Sequence, residues 1–155
     1  MQRKTIYIGA DSAGYEMKEM LSAALREEGY TVHDCGTDSA ASCHYPVYAH
    51  AVCENVQKAP DDCFGILICG TGIGMSMAAN KHRGIRAAVC GDTFSARFTR
   101  LHNNANVLCM GARVIGPGLA KDITDLFLNT PFEAGGRHEE RVNMITDIEN
   151  TEHEK

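Results

Sequence analysis

Phe64-Gly65-Ile66-Leu67-Ile68-Cys69-Gly70 is an almost fully apolar run near the middle of the chain. A strand with one face in water alternates apolar and polar residues, but this run has no polar face. It therefore suits a central parallel strand that is covered on both faces. A glycine-dense turn follows it, and a helical pattern begins a few residues later. This order of elements predicts the core of an α/β fold.

The same alternation of strands and helices extends along the chain in both directions. Further strands are predicted at 6–9, 30–34, 85–90 and 107–110. Helices are predicted at 17–28, 47–58, 75–81, 93–102, 119–128 and 139–150. We therefore expect one domain over residues 1–150, an α/β three-layer sandwich with a five-stranded parallel sheet, and a polar tail at 151–155. Ligands of such sheets bind beyond the carboxyl ends of the strands, where Asp11, Cys69 and Asp92 are placed.

Composition excludes several classes of function. The 155 residues are 44% hydrophobic and 23% charged, which is typical of a globular domain with a real core. A net charge of −5, from 15 basic and 20 acidic residues, does not favour nucleic-acid binding. No stretch approaches membrane-spanning length, and no signal peptide follows the N-terminus. We therefore expect a cytoplasmic protein with no nucleic-acid or membrane partner.

The cysteines do not form a recognisable framework. There are 7 of them, an odd number, and no two have C-x-x-C spacing. This pattern does not favour a set of disulfides or a zinc site. We expect reduced thiols that are mostly buried as small apolar side chains.

The segment Cys69-Gly70-Thr71-Gly72-Ile73-Gly74-Met75-Ser76 carries the clearest chemical signal. Glycines at alternate positions before a helix leave backbone N–H groups uncovered, and such a nest stabilises a phosphate or a developing oxyanion. Thr71 adds a hydroxyl donor. A structural turn that needs glycine only for its backbone angles is one alternative. A dinucleotide fingerprint is another, with Asp92 about twenty residues downstream, although the spacing is G-x-G-x-G and not G-x-G-x-x-G.

Cys69 lies where the predicted strand meets this nest. A thiol there feels the positive end of a helix, which favours a thiolate that can act as nucleophile or general base. His102, at the end of a predicted helix, has a side chain that can exchange a proton near neutral pH. The alternatives are a buried structural cysteine, and a histidine among asparagines that serve as caps and turns.

Arg137 and Arg141 are four residues apart at the start of a predicted helix and share one face. Cations at a helix N-terminus oppose the macrodipole, so two of them favour a bound anion. Paired guanidinium groups fit phosphate oxygens well. Salt bridges to Glu133, Glu139 or Glu140 are the alternative.

Taken together, these segments resemble the family of type B ribose-5-phosphate isomerases and galactose-6-phosphate isomerase subunits. The resemblance covers almost the whole chain in one register. It is carried by Ile8-Gly9-Ala10-Asp11-Ser12-Ala13-Gly14-Tyr15-Glu16-Met17-Lys18, Tyr45-Pro46, Cys69-Gly70-Thr71-Gly72-Ile73-Gly74-Met75-Ser76-Met77-Ala78-Ala79-Asn80-Lys81, Gly84-Ile85-Arg86-Ala87-Ala88, Ser95-Ala96-Arg97, His102-Asn103-Asn104-Ala105-Asn106-Val107-Leu108, Gly111-Ala112-Arg113, and Gly136-Arg137-His138 with Arg141.

The resemblance implies an aldose–ketose isomerase of the pentose phosphate pathway that interconverts ribose 5-phosphate and ribulose 5-phosphate through a cis-enediol. It implies a flavodoxin-like doubly wound sheet, no metal and no coenzyme. It also implies a homodimer, or a homotetramer of two such dimers, with active sites at the subunit interface.

The resemblance also implies roles for individual residues. Cys69 would be the base, and Asp11 and His102 would assist ring opening, with His102 and Asn103 reaching in from the partner subunit. Thr71 and the amides of Gly70, Gly72 and Gly74 would form the anion hole. Arg113, Arg137 and Arg141 would bind the phosphate. Tyr45 would line the sugar.

Three positions depart from the family pattern. Met75 stands where one subgroup has a glutamate base, so Cys69 is the one candidate base. Ser12 replaces a histidine that helps to hold phosphate, and we expect weaker phosphate binding or a shifted pose there. His44 replaces the usual aspartate before Tyr45, and nothing in the sequence explains that change. A six-carbon substrate such as allose or galactose 6-phosphate, and a non-catalytic sugar-phosphate-binding subunit, are the alternative functions.

Overall fold

A computed structural model describes residues 3–155. Its strands are β1 (Thr5–Ala10), β2 (Val32–Asp34), β3 (Cys63–Cys69), β4 (Ala87–Val89) and β5 (Val107–Gly111). Its helices are α1 (Tyr15–Glu27), α2 (Tyr45–Lys58), α3 (Ile73–Ala79), α4 (Thr93–Asn103), α5 (Pro117–Asn129) and α6 (Arg137–His153). Within the described residues no helix is both long enough and apolar enough to cross a bilayer.

All strand pairs in the sheet are parallel, and helices cover both of its faces, which confirms the predicted fold class. The strand order is β2-β1-β3-β5-β4. Compared with the flavodoxin-like order 2-1-3-4-5, the last two strands are exchanged. Every residue of β5 is buried, whereas β4 is short and partly exposed. The more apolar strand therefore takes the interior position, and β4 takes the edge.

The predicted central strand lies at the centre of the sheet. All seven residues of β3 are buried, and β3 pairs with β1 on one side and β5 on the other. Side chains of α1, α4 and α5 fill the core on one face of the sheet. Side chains of α2 and α3 fill the core on the other face, and Cys69 belongs to this second cluster.

Helix α6 packs mainly against α4 and buries little of its own surface. Val142 is its one buried residue, while Met144, Ile145 and Ile148 are exposed. The helix continues to His153, past residue 151 where the polar tail was expected to begin. In these last turns the Thr151 hydroxyl donates a hydrogen bond to the Asp147 carbonyl at 2.9 Å.

Five of the six helices begin two residues before the predicted start, and only α4 begins where expected. Apolar periodicity identifies the residues on the buried face of a helix, and the helix begins before the first of these residues. Pro46 and Pro117 illustrate this, since a proline fits the first turn of a helix, where its missing N–H has no partner. The predicted starts are therefore late for a common physical reason.

We predict that Gly65→Ala destabilises the protein by about 1–3 kcal/mol through overpacking. A Cβ at this position would lie 2.8 Å from the Val52 side chain and 3.0 Å from that of Val107. Gly91→Ala is the matched control, because nothing lies within 4 Å of its Cβ position. Urea unfolding of both variants measures the difference, and equal stabilities would contradict the packing argument.

Candidate active site

Three loops meet at the carboxyl edge of the sheet. The N–H of Asp11, after β1, donates to the Ile68 carbonyl at 3.2 Å. After β5, the N–H of Ala112 donates to the Cys69 carbonyl at 2.9 Å and that of Arg113 donates to the Gly70 carbonyl at 3.0 Å. These backbone bonds hold the loops after β1 and β5 against the end of β3.

The Asp11 carboxylate is held by its own turn. Its Oδ1 accepts the N–H of Gly14 at 3.1 Å, and Gly14 caps the start of α1. A Cβ on Gly14 would lie 2.5 Å from the Ile68 carbonyl oxygen, so the turn packs closely on β3. Ser12 lies in the same turn and is half-buried. The acidic group predicted for the site is therefore fixed beside the end of the central strand.

Cys69 is the last residue of β3 and lies at the rim of the core. It is 5% exposed, the next residue Gly70 is half-buried, and Thr71 is exposed. The N–H of Gly72 donates to the Cys69 sulfur at 3.1 Å. An N–H directed at a sulfur stabilises negative charge on it. The sulfur therefore lies just beneath an exposed polar loop, with a donor already in place.

The loop after Cys69 takes its shape from direct backbone packing. Gly72 has a φ of 81°, in the left-handed region, and a Cβ there would lie 2.9 Å from the Met110 carbonyl carbon. A Cβ on Gly111 would lie 2.7 Å from the carbonyl group of Thr71. These two glycines allow the loop to lie directly on the end of β5.

The free donors of the nest are fewer than the glycine spacing implies. The Gly72 N–H is used by the Cys69 sulfur, and the Ile73 N–H donates to the Thr71 hydroxyl oxygen at 3.2 Å. The N–H groups of Gly74 and Met75, in the first turn of α3, have no partner within the helix by position. Met75 is fully buried, whereas the Gly70 and Thr71 N–H groups have no hydrogen-bond partner among the described residues. The N–H groups of Gly70, Thr71 and Gly74, together with the Thr71 hydroxyl, are the donors that an oxyanion at this site would meet.

Two larger side chains flank the loop. The Tyr45 ring lies over Gly74, where a Cβ would come within 2.7 Å of the ring. The Arg113 side chain lies over Gly70, with Nη1 3.6 Å from its Cβ position. We name this group the Cys69 cluster; its members are Asp11, Ser12, Tyr45, Cys69, Gly70, Thr71, Gly72, Gly74 and Arg113.

His102 and Asn103 lie at the opposite edge of the sheet. They end α4, which returns the chain to the amino end of β5. Just beyond them, the Asn106 carbonyl accepts the N–H of Gly65, near the start of β3. The length of β3 is about 20 Å, so a single chain does not bring His102 to Cys69.

Two of the three phosphate-binding arginines that the resemblance implies, Arg137 and Arg141, lie near His102, whereas Arg113 belongs to the Cys69 cluster. A cavity of about 360 Å³ is lined by His102 and by residues 133–138, Arg137 among them. Arg141 follows one turn later on α6. We name this second group the His102 cluster; its members are His102, Asn103, Glu133, Arg137, His138 and Arg141.

A stacked pair of histidines lies at the centre of the His102 cluster. The rings of His102 and His138 have centroids 3.9 Å apart and planes within 7° of parallel. Burial lowers the pKa of His138, and so does the positive charge of His102, Arg137 and Arg141, which Glu133 partly opposes. These surroundings favour the uncharged form of His138.

His102, Glu133 and His138 also place three potential metal-ligand atoms within 4.8 Å of one another. A metal ion bound by an imidazole lies near the plane of the ring, and two nearly parallel planes do not meet at one ion. The neighbouring arginines oppose a cation as well. The observed arrangement therefore fits a stacked pair better than a chelate.

Two residues that contact His102, His138 and Phe98, are not among the site residues predicted from the sequence. Phe98 lies one helical turn before His102, and the two rings meet at 68° with centroids 4.9 Å apart. Its i, i+4 spacing to His102 could have indicated contact. His138 follows Arg137 directly, but its stacking on His102 depends on how the 130–136 loop folds back. Met75, which replaces a possible glutamate base, is fully buried.

The comparisons with known proteins agree on one family. The ribose/galactose isomerase family profile matches residues 6–145. The chain is 49% identical to ribose-5-phosphate isomerase B of Escherichia coli, over 94% of this chain and 97% of that protein. It is 46% identical to the D-erythrulose-4-phosphate isomerase of Pectobacterium atrosepticum, over 85% of this chain and 87% of that protein.

A solved structure gives the same result. Ribose-5-phosphate isomerase B from Mycoplasma genitalium, with bound ribulose 5-phosphate, superposes with a TM-score of 0.92 at 38% identity. The match covers 97% of this chain and 99% of that one.

We predict that Gly72→Ala destabilises the protein more than Gly84→Ala does. Both glycines have positive φ, so both variants carry the strain of a left-handed alanine, about 1–2 kcal/mol. Only at Gly72 does the new Cβ meet backbone; at Gly84 nothing lies within 4 Å. Urea unfolding measures both costs. Equal losses of unfolding free energy in the two variants would mean that the end of β5 shifts to accommodate the new Cβ and does not fix the loop.

Proposed function

The chain belongs to the ribose/galactose isomerase family and is an isomerase; from that premise we propose that it interconverts ribose 5-phosphate and ribulose 5-phosphate with Cys69 as the base. One observation carries the assignment of the base: the Cys69 sulfur accepts a hydrogen bond from the Gly72 N–H and lies beneath the exposed Thr71 loop. The substrate follows from the relatives, one named for ribose 5-phosphate and one solved with ribulose 5-phosphate.

The proposed reaction begins with the open-chain aldose beside Cys69. The thiolate takes the proton from C2 and becomes a thiol. The electron pair of the C2–H bond forms a C1–C2 double bond, and the aldehyde oxygen becomes negatively charged. That oxygen takes a proton from the solvent, which gives the cis-enediol. The thiol then returns its proton to C1 and becomes a thiolate again, while the C2 hydroxyl releases its proton to the solvent and becomes the ketone.

The oxyanion formed in the first step requires fixed donors, since a carbon acid gives up its proton only when the resulting charge is stabilised. The Thr71 hydroxyl and the N–H groups of Gly70, Thr71 and Gly74 are suited to this. They lie on the loop after β3 and in the first turn of α3, and backbone contacts with β5 set the position of that loop. Tyr45 would line the sugar, since its ring covers Gly74 beside these donors.

The remaining chemistry uses the His102 cluster. Ribose 5-phosphate is mostly a closed ring, and Asp11 and His102 would transfer the protons that open it. Arg137 and Arg141 would bind the phosphate together with Arg113, and Asn103 would contact the sugar. In the proposed site Ser12 occupies the position of a phosphate-binding histidine, so we expect phosphate binding to depend more on the arginines.

A homodimer would join the two clusters. A two-fold axis that places the carboxyl edge of one sheet against the amino edge of its partner makes two composite sites at once. Exposed apolar side chains border both clusters, as such an interface requires. They are Ile73 and Met77 on α3, the helix that follows the Thr71 loop, and Met144 and Ile145 on α6, one turn after Arg141.

The substrate alternatives differ in the length of the sugar. The D-erythrulose-4-phosphate isomerase relative favours testing a four-carbon substrate, and allose and galactose 6-phosphate test the six-carbon alternative. A panel of these sugar phosphates, assayed for aldose–ketose exchange, ranks them by kcat/KM. No exchange with any of them would favour the non-catalytic sugar-phosphate-binding subunit.

We predict that Cys69→Ala lowers kcat by about 10²–10⁴-fold, the usual contribution of a general base. It should also abolish exchange of the C2 proton of ribose 5-phosphate with deuterated solvent. Both effects follow from the loss of the one group that removes this proton. Steady-state kinetics and NMR measure them.

Cys63→Ala is the matched control, because Cys63 is a buried cysteine at the other end of the same strand. Its loss should reduce stability while leaving kcat nearly unchanged. Full isomerase activity in Cys69→Ala would reject Cys69 as the base.

We predict that two inactive variants, Cys69→Ala and His102→Gln, complement each other. Random pairing after mixing, unfolding and refolding makes about half of the dimers mixed, and each mixed dimer has one intact composite site. The mixture should therefore recover about a quarter of wild-type activity. Each variant refolded alone should stay inactive. Failure to recover activity, with dimers confirmed by sedimentation, would contradict a site shared between subunits.

A further inference from the structure

Neighbouring rings fix the position of the His102 side chain. His138 stacks on it, and Phe98 meets it at a steep angle. Phe98 is itself stacked on Phe94, with centroids 4.2 Å apart. A row of four rings therefore runs along α4 to the start of α6, and His102 lies inside this row. Packing of this kind limits how far the imidazole can rotate.

The backbone on either side of His138 is held in place by hydrogen bonds. It is the second residue of α6, and 12% of its side chain is exposed. The N–H of Glu133 donates to the Leu101 carbonyl at 3.0 Å, which joins the 130–136 loop to the end of α4. The N–H of Gly135 donates to the Glu139 carboxylate at 2.7 Å, which holds the start of α6. These two bonds fix the origin of α6 next to His102.

The charges around the pair favour a neutral His138. Arg137 and Arg141 face it from its own helix, and His102 faces it from α4. Glu133 is the one acidic group among these neighbours, and its Oε2 lies 3.9 Å from Nε2 of His138. A proton on His138 would therefore be repelled by the positive charge of these neighbours.

We propose that His138 is a positioning residue, whose stacked ring holds the His102 imidazole in the orientation needed to transfer a proton to the sugar ring oxygen. This inference rests on the proposed function, in which His102 helps to open the ring. His138 itself would not exchange a proton with the substrate. Its contribution is to fix the plane of His102, since a small misplacement of a catalytic group costs much of its effect.

The two substrates separate this role from a merely structural one. Ribose 5-phosphate must be opened before C2 can be deprotonated. Ribulose 5-phosphate cannot close to a five-membered ring, because its O5 carries the phosphate, so it enters as an open chain. Exchange of its C1 proton with deuterated solvent needs Cys69 but not ring opening. A defect confined to His102 should therefore slow the isomerisation of ribose 5-phosphate and leave the C1 exchange of ribulose 5-phosphate unchanged.

The experiment compares His138→Ala, which removes the ring, with His138→Phe, which keeps a flat ring that carries no proton. We expect His138→Ala to slow isomerisation of ribose 5-phosphate by about tenfold or more. Its C1 exchange with ribulose 5-phosphate should stay within about twofold of wild type. His138→Phe should restore isomerisation to within about threefold of wild type, because the stacking remains. His153→Ala, on the same helix but at its far end, is the control and should change neither rate.

Three results would overturn the inference. Isomerisation could be unchanged in His138→Ala, both rates could fall together in that variant, or His138→Phe could fail to restore activity. A wild-type protein that is inactive on ribose 5-phosphate would overturn the proposed function and this inference with it. Wild-type activity combined with any of the three results overturns this inference alone.

Discussion

The loop after β3 packs against the end of β5 with no side chain between them. At Gly72 and Gly111 a Cβ would lie within 3 Å of backbone atoms on the other segment, so the two main chains are in direct contact. The positive φ of Gly72 turns its N–H back toward the Cys69 sulfur. Because main-chain atoms set this geometry, it does not depend on side-chain rotamers. Donors fixed in this way lose nothing to reorganisation when charge develops nearby, which is the requirement of an oxyanion site.

The same sheet that builds the Cys69 cluster keeps it apart from the His102 cluster. All strands are parallel, so every loop after a strand lies at one edge and every loop after a helix returns to the other. His102 ends a helix, and Arg137 begins α6 beside it. No rearrangement of loops within one chain joins two edges about 20 Å apart. Association of two chains can do so, and the exposed apolar side chains beside both clusters are suited to that contact.

The parts of the molecule that follow from local pattern could be predicted from the sequence. The apolar run at β3 placed the central strand, and the rule for strand ends brought Asp11 and Cys69 to one edge. The exchange of β4 and β5 could not be predicted in this way, because it depends on which strand buries more surface. The pairing of His102 with His138 was missed for a related reason. It depends on the 130–136 loop, whose Glu133 N–H contact with Leu101 has no counterpart in sequence periodicity.

Local charge and overall charge have opposite signs at the His102 cluster. The chain carries a net charge of −5, so its overall field repels a phosphorylated sugar. Arg137 and Arg141 nevertheless lie at the positive end of α6, where the helix dipole adds to their charge. Glu133 offsets only part of this positive charge, and the positive charge that is left favours the neutral form of His138. An anion at this position would relieve the repulsion among these groups. In the proposed function, this cluster would supply much of the free-energy gain on binding the phosphate, and sugars that lack a phosphate would have no equivalent attraction to it.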